Sequence, residues 1–199
     1  MPEDNNGWKE YYQKIKGRAP RQLLLDVLAY YPGESDAPRT AIDLGCGDGT
    51  ETAVLLERGW NVLAIDSQPA AIEHLMEKIS SENKGRLETQ IAAFRDAALP
   101  LADLVHASFS LPFCEPDHFS IFWNRIVDAV KPGGRFAGQF FGVRDSWADH
   151  PTMTFHTESQ VRALFDGFEI ETFHEQDEDG SSSNGPKHWH VFTVIAKKK

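Results

Sequence analysis

The sequence predicts an α/β fold, a three-layer sandwich on a seven-stranded sheet that is parallel except for its last strand. Three observations predict it. Short apolar runs alternate with stretches of helical spacing, the order expected of consecutive βα units. A glycine-rich turn, Gly45-Cys-Gly-Asp-Gly49, joins the first apolar run (Ala41, Ile42, Leu44) to a helical stretch beginning at Glu51. The chain then closes on two runs, Phe168 to Phe173 and His188 to Ile195, separated by a polar segment, which read as a hairpin that turns the last strand antiparallel.

Each element follows in order. Residues 4–31 are helical twice over, with Trp8, Tyr11, Tyr12 and Ile15 on one face and a second helix from Gln22 to Tyr31. Gly17-Arg-Ala-Pro20 interrupts the two, and Pro32-Gly33 stops the second. After strand 1 and its helix, Trp60 to Ile65 is strand 2, ending in Asp66. Ser67-Gln-Pro69 opens a helix running to about Lys78, with proline at its permitted first turn. Leu87 to Ala92 is strand 3, ending at Ala93 and Phe94, and Asp103 to Ser108 is strand 4, with Phe109 to Phe113 as the loop beyond it. Pro116 to Val130 is an amphipathic helix whose stripe of Phe119, Phe122, Trp123, Ile126 and Val130 is core. Lys131-Pro-Gly-Gly134 ends it before strand 5, Arg135 to Phe141. Residues 142–156 form a long loop, and Thr157-Glu-Ser-Gln160 has the form of a capped helix start. Residues 175–186 read as a polar, flexible loop. The expected tally is five βα steps and a hairpin.

Composition narrows the function. At 199 residues the chain fits one domain with a sizeable core. A formal net charge of −10 lacks the basic footprint that nucleic-acid binding requires, so no nucleic-acid partner is expected. There is no secretory signal and no apolar run long enough for a membrane helix, so a cytoplasmic protein with no membrane partner is expected. Cys46 and Cys114 suggest neither a disulfide framework nor a zinc site.

In open α/β sheets ligands bind beyond the carboxyl ends of the parallel strands. Asp66, at the tip of strand 2, stands where a ribose diol is held. The glycines run Gly-x-Gly-x-Gly, not the Gly-x-Gly-x-x-Gly of dinucleotide enzymes, and Asp43 precedes them. A carboxylate there would repel a diphosphate and suit a ligand carrying an ammonium or sulfonium. These residues resemble the class I S-adenosylmethionine (SAM)-dependent methyltransferases, whose first motif is an acid followed by x-Gly-x-Gly-x-Gly and whose second is an acid ending strand 2. The Lys-Pro-Gly-Gly turn between helix and strand is similar to theirs as well. The core resemblance covers roughly residues 39–142. Shorter words (Phe-Phe-Gly-Val-Arg-Asp-Ser-Trp, Ser-Leu-Pro-Phe-Cys, Lys-His-Trp-His-Val-Phe) resemble a bacterial branch grouped with tellurite-resistance, TehB-like, enzymes.

The resemblance implies a Rossmann-like core at 39–199 behind an N-terminal helical lid at 1–38, together one methyltransferase domain. It implies S-adenosylmethionine as cofactor and S-adenosylhomocysteine as product, with in-line transfer of the sulfonium methyl to a small-molecule acceptor. Cofactor contacts are expected at Asp43, Gly45, Cys46 (through its backbone), Gly47, Gly49, Asp66, Ser67, Ala93, Phe94 and Ser108, with Tyr12 and Arg18 contributed by the lid. The motifs of nucleobase methyltransferases, Asn/Asp-Pro-Pro-Tyr/Phe and the Pro-Cys nucleophile, are absent.

For the acceptor pocket the loops after strands 4 and 5 offer Phe109, Leu111, Phe113, Arg144 and Trp147, with Asp145, His150 and His156 nearby. His188 and His190, two apart on the last strand, point to one face with Trp189 on the other. Three readings stay open: catalytic base or orienting groups, a metal pair with no evident third ligand, and packed strand residues. No metal is expected. His106, inside strand 4, reads as core. The competing functions are a non-catalytic SAM-binding protein, a NAD(P)-dependent oxidoreductase and a protein methyltransferase.

Overall fold

A computed structural model describes residues 17–33, 37–182 and 185–199. The expected first helix, with Trp8, Tyr11 and Tyr12, lies outside them. Helix α1 (Gln22–Ala29) buries Leu23, Leu24, Val27 and Leu28. Strand β1 (Thr40–Leu44) leads through the glycine turn into α2 (Thr50–Glu57), then β2 (Asn61–Asp66) and α3 (Pro69–Lys78). Strands β3 (Leu87–Ile91) and β4 (Ala102–Ala107) follow, then α4 (Pro116–Ala129), β5 (Val130–Gly142), the two-residue β6 (Phe155–His156) and α5 (Glu158–Leu164). Two long strands, β7 (Phe168–Ser182) and β8 (Gly185–Lys198), close the chain.

These strands form a single sheet in the order β3-β2-β1-β4-β5-β8-β7, with β6 beside β5. All pairings are parallel except those of β8, which runs antiparallel to both β5 and β7. The Rossmann-like α/β architecture expected from the sequence is therefore present, with β6 as an eighth strand. One core layer, under α4 and α5, gathers Ile42, Leu44, Phe122, Trp123, Phe136 and Phe140. The other, under α1 to α3, gathers Leu24, Ala41, Leu55, Leu75, Leu104 and Ile195. The stripe read along α4 is buried as expected, and α5 starts on the capping box of Thr157 and Gln160.

Three expectations need correction. No helix intervenes between β3 and β4, where residues 92–101 are turn and coil, so helices follow four strands and not five. Strand β5 starts at Val130 and carries Lys131-Pro-Gly-Gly134 within it, at the cost of a register shift against β4 between Ala102 and Leu104. The acidic segment 175–186 is a hairpin, not a flexible loop, for Glu175 through Ser182 pair residue by residue with β8. The acidic run misleads because its side chains face solvent and the paired strand, which hides the ladder that orders its backbone. Among the described residues no helix is long and apolar enough to cross a membrane.

Candidate cofactor and acceptor site

The glycine turn lies between the tips of β1 and β2. Gly45, Gly47 and Gly49 take φ of 69°, 54° and 74°, a region that L side chains avoid. Two of them have no room for a side chain either. A Cβ on Gly45 would lie 2.5 Å from Ser110 Cβ, and one on Gly49 would lie 2.5 Å from Leu75 Cδ1. The amides of Gly45 and Cys46 both donate to Ile65 O, at 2.7 and 3.0 Å, which ties the turn to β2.

Asp66 closes the turn from the β2 side. Its carboxylate accepts from Gly47 N at 3.0 Å and from Gln68 N at 2.9 Å. Burial raises its pKa above the ordinary aspartate value, and the nearby Asp43 adds to the rise, against the lowering by those amide bonds. Cys46 lies in the turn with its side chain turned inward. Its thiol is buried in the core, and desolvation raises its pKa well above the usual thiol value. Ser67 is exposed beside Asp66.

Asp43 is placed differently from expectation. It is 2 % exposed, below the turn, with Oδ2 accepting from Thr52 Oγ1 at 2.6 Å and Oδ1 bonded to His106 Nδ1 at 2.9 Å. Its carboxylate is thus taken up by Thr52 and His106. Arg18 reaches the same end of α2, where it pairs with both oxygens of Glu51 and lies 3.3 Å from Asp48 Oδ1. Asp48, which the sequence did not single out, also accepts from Thr50 Oγ1 at 2.6 Å and Lys78 Nζ at 2.9 Å. Desolvation works to raise its pKa, but the bonds from Thr50 and Lys78 and the charge of Arg18 hold it below the ordinary aspartate value.

Ala93 and Phe94 stand beyond β3, half-buried, with the Phe94 ring stacked on Phe122 at 4.8 Å. At the tip of β4, Ser108 Oγ and the Phe109 amide both donate to Gln139 Oε1, at 3.0 and 3.1 Å. Phe109 has φ 52°, the one non-glycine residue with positive φ among the described residues. Such a backbone costs on the order of 1–3 kcal/mol and persists only where its surroundings enforce it. Here Gln139 does so from inside β5.

Around Phe109 lies an aromatic group. Its ring is 6.2 Å from Phe141 and 6.0 Å from Trp189, with the Arg21 guanidinium 4.7 Å above it. Trp147 packs on Phe141 and Trp189, and Phe113 and Phe155 join the same cluster. Phe109, Phe113 and Trp147 are thus brought together as expected. Leu111 is not, being 1 % exposed in the core layer under α4. Lys187 also enters this cluster. Its Nζ is ion-paired with Asp145 and lies 4.0 Å from the Trp147 ring and 4.3 Å from the Trp189 ring. Desolvation lowers its pKa, with Asp145 opposing. Asp145 also accepts from the amides of Trp147 at 3.0 Å and His190 at 3.2 Å, which fixes the loop after β5 to the start of β8.

His188 and His190 do share a face, with Trp189 on the other, but that face is turned away from the aromatic group. His188 bonds Asp179 at 2.7 Å and Asp177 at 2.9 Å, and His190 bonds Glu175 at 2.8 Å. Strand alternation leaves Lys187, Trp189 and Val191 on the aromatic side, which excludes the pair from the pocket as bases. The third metal ligand missing from the sequence exists in space, since Glu175, Asp177 and His190 offer ligand atoms within 4.8 Å of one another. The cation among them is Arg144, whose Nη2 is 2.8 Å from Glu175, 2.6 Å from Asp177 and 3.1 Å from His190. Arg144 is therefore spent here and does not line the pocket. His156 is also withdrawn, buried against Phe119 and Phe140, and its desolvation lowers its pKa to about 4. His150 bonds Thr152 within its own turn.

Residues 41–134 match a family described as a methyltransferase domain, so the glycine turn, Asp66 and β4 all belong to that domain. That segment is just under half of the chain. Among curated relatives, trans-aconitate 2-methyltransferase of Methylobacterium radiotolerans is 35 % identical over 120 residues, 57 % of this chain and 42 % of that one. The match thus spans less than half the length of that relative. Among solved structures, TehB from Haemophilus influenzae superposes with a TM-score of 0.75 at 18 % identity, covering 96 % of this chain and 67 % of that one. The Burkholderia thailandensis 1,6-didemethyltoxoflavin-N1-methyltransferase, solved with 1,6-didemethyltoxoflavin and S-adenosylhomocysteine, gives 0.69 at 18 % identity, covering 98 % and 87 %. At such identities these structures speak for the fold.

Proposed function

We propose that this chain is an S-adenosylmethionine-dependent methyltransferase acting on a small-molecule acceptor. The observation that carries the reading is the Asp66 carboxylate held by Gly47 N and Gln68 N beside three positive-φ glycines, two of them with no space for a Cβ. That is a cradle for a nucleoside whose ribose hydroxyls bond a carboxylate. When bound, the cofactor supplies a methyl group on a sulfonium, which an acceptor lone pair displaces.

The chain's own work is then positional. Asp66 holds the ribose, Ala93 and Phe94 border the adenine, and Ser108 and Phe109 end the strand facing the methyl. The acceptor lies among Phe109, Phe113, Trp147 and Trp189, whose apolar faces exclude water. Charge and the apolar character of this wall support a small acceptor over a nucleic acid. The test is release of S-adenosylhomocysteine on incubation with S-adenosylmethionine across a panel of small metabolites. Turnover with at least one acceptor is expected. Binding of NADH in preference to S-adenosylmethionine, read by fluorescence titration, would overturn the reading.

A further inference from the structure

His106 sits near the carboxyl end of β4, paired in register with Asp43 of β1, and is 1 % exposed. Its Nδ1 is 2.9 Å from Asp43 Oδ1. A carboxylate only accepts, so the imidazole proton belongs on Nδ1 and the lone pair on Nε2. That Nε2 is buried and has no hydrogen-bond partner. Ser110 Oγ is another orphaned atom of the same strand and loop, and its residue lies against Gly45. Two buried polar atoms without partners thus lie on β4 and its loop, one against Gly45 and one beside Asp43, two residues before it. Native interiors rarely leave such atoms unmatched unless a ligand or water completes them.

The strand order says which part of a ligand would arrive there. The sheet runs β3-β2-β1-β4. With ribose at the tip of β2 and adenine toward β3, the amino-acid arm has to cross β1 toward β4. His106 is bonded to the Asp43 carboxylate and lies within electrostatic reach of Glu51 in the first turn of α2, which Arg18 pairs. A lone pair in acidic surroundings calls for a cationic donor. The α-ammonium of the methionyl arm is one.

We propose that His106 Nε2 accepts a hydrogen bond from the α-ammonium of the bound cofactor, with Asp43 and Thr52 fixing the imidazole tautomer beneath it. The inference rests on the reading of the previous subsection. It makes His106 a cofactor-binding residue and Asp43 a positioning residue that acts through it.

Calorimetric titration with S-adenosylhomocysteine and with 5′-methylthioadenosine, which keeps adenosine and thioether but lacks the amino-acid arm, tests it. In His106→Asn the amide can still donate to Asp43, but nothing replaces Nε2. S-adenosylhomocysteine is expected to bind about ten-fold more weakly to this variant, and 5′-methylthioadenosine unchanged. Equal weakening of both ligands, or of neither, overturns the proposal. Wild-type protein that binds neither ligand overturns the cofactor reading and this proposal together, whereas wild-type binding of both with an indifferent variant overturns this proposal alone. Should the variant not fold, nitrogen NMR of the wild-type imidazole decides. The Nε2 resonance is expected to move on adding S-adenosylhomocysteine and not 5′-methylthioadenosine, and an Nε2 that ignores both ligands overturns the assignment.

Discussion

Asp66 shows how much one side chain carries. Its oxygens bond the backbone of both the glycine turn and the start of α3, and they also face the place proposed for the ribose. Asp66→Ala is expected to weaken S-adenosylmethionine binding by about 1–3 kcal/mol through lost charge-assisted bonds, and calorimetry measures it. The same residue gives binding a pH dependence. The carboxylate must be ionised to accept from the ribose, and its pKa is raised by burial and by Asp43. Affinity should therefore begin to fall, as pH is lowered, at a higher pH than an ordinary aspartate would give. In Asp66→Ala that limb of the titration should vanish. Gly45 is as constrained sterically as Asp66 is chemically. Gly45→Ala combines φ +69° with a Cβ 2.5 Å from Ser110 Cβ, and about 2–4 kcal/mol of destabilisation is expected by urea unfolding.

Two of the structural elements carry charges whose energetics can be read out. Strand β6 places His156 in the layer under α4, where burial alone lowers its pKa to about 4. The folded state thus binds this proton less readily than the unfolded chain. Stability should fall as pH drops from about 6.5 toward 4, by about 3 kcal/mol in all, and His156→Leu should flatten that limb of a thermal-melt series. The loop after β5 is fastened to β8 by the ion pair of Lys187 and Asp145, whose side chains are 1 % and 0 % exposed. Lys187→Met would leave a carboxylate buried without its cation, and a loss of about 3–5 kcal/mol is expected. Adding Asp145→Asn removes the stranded charge while keeping an acceptor for Trp147 N and His190 N. The double variant should therefore be more stable by urea unfolding than Lys187→Met alone. The sequence placed both residues near the acceptor side but gave no sign that they pair. A lysine opening a strand and an aspartate in a loop meet only because β8 returns beside β5.

At the scale of the whole molecule, legibility followed sequence distance. The glycine turn, Asp66, the α4 stripe and the α5 cap were all readable, because the residues that make each of them lie within a few positions or a single βα unit. His106, Gln139 and Lys187 were not, since their partners Asp43, Ser108 and Asp145 come from other strands. The helix expected between β3 and β4 failed for another reason: Ala93 to Pro100 has no sustained apolar period, and the parallel crossover is made there by coil. The acidic hairpin was misread because composition reports solvation, not backbone pairing. That hairpin has one more implication. Among the described residues β7 is the outermost strand and pairs only with β8, so its far side presents a rail of amides and carbonyls. Such rails recruit other chains unless something repels them. Glu175, Asp177 and Asp179 outnumber the one arginine that pairs with the first two and so leave this rail acidic, and light scattering should detect self-assembly once all three are replaced by threonine. Mutual repulsion between copies, written into a stretch that looks like filler, then decides whether the molecule stays dispersed.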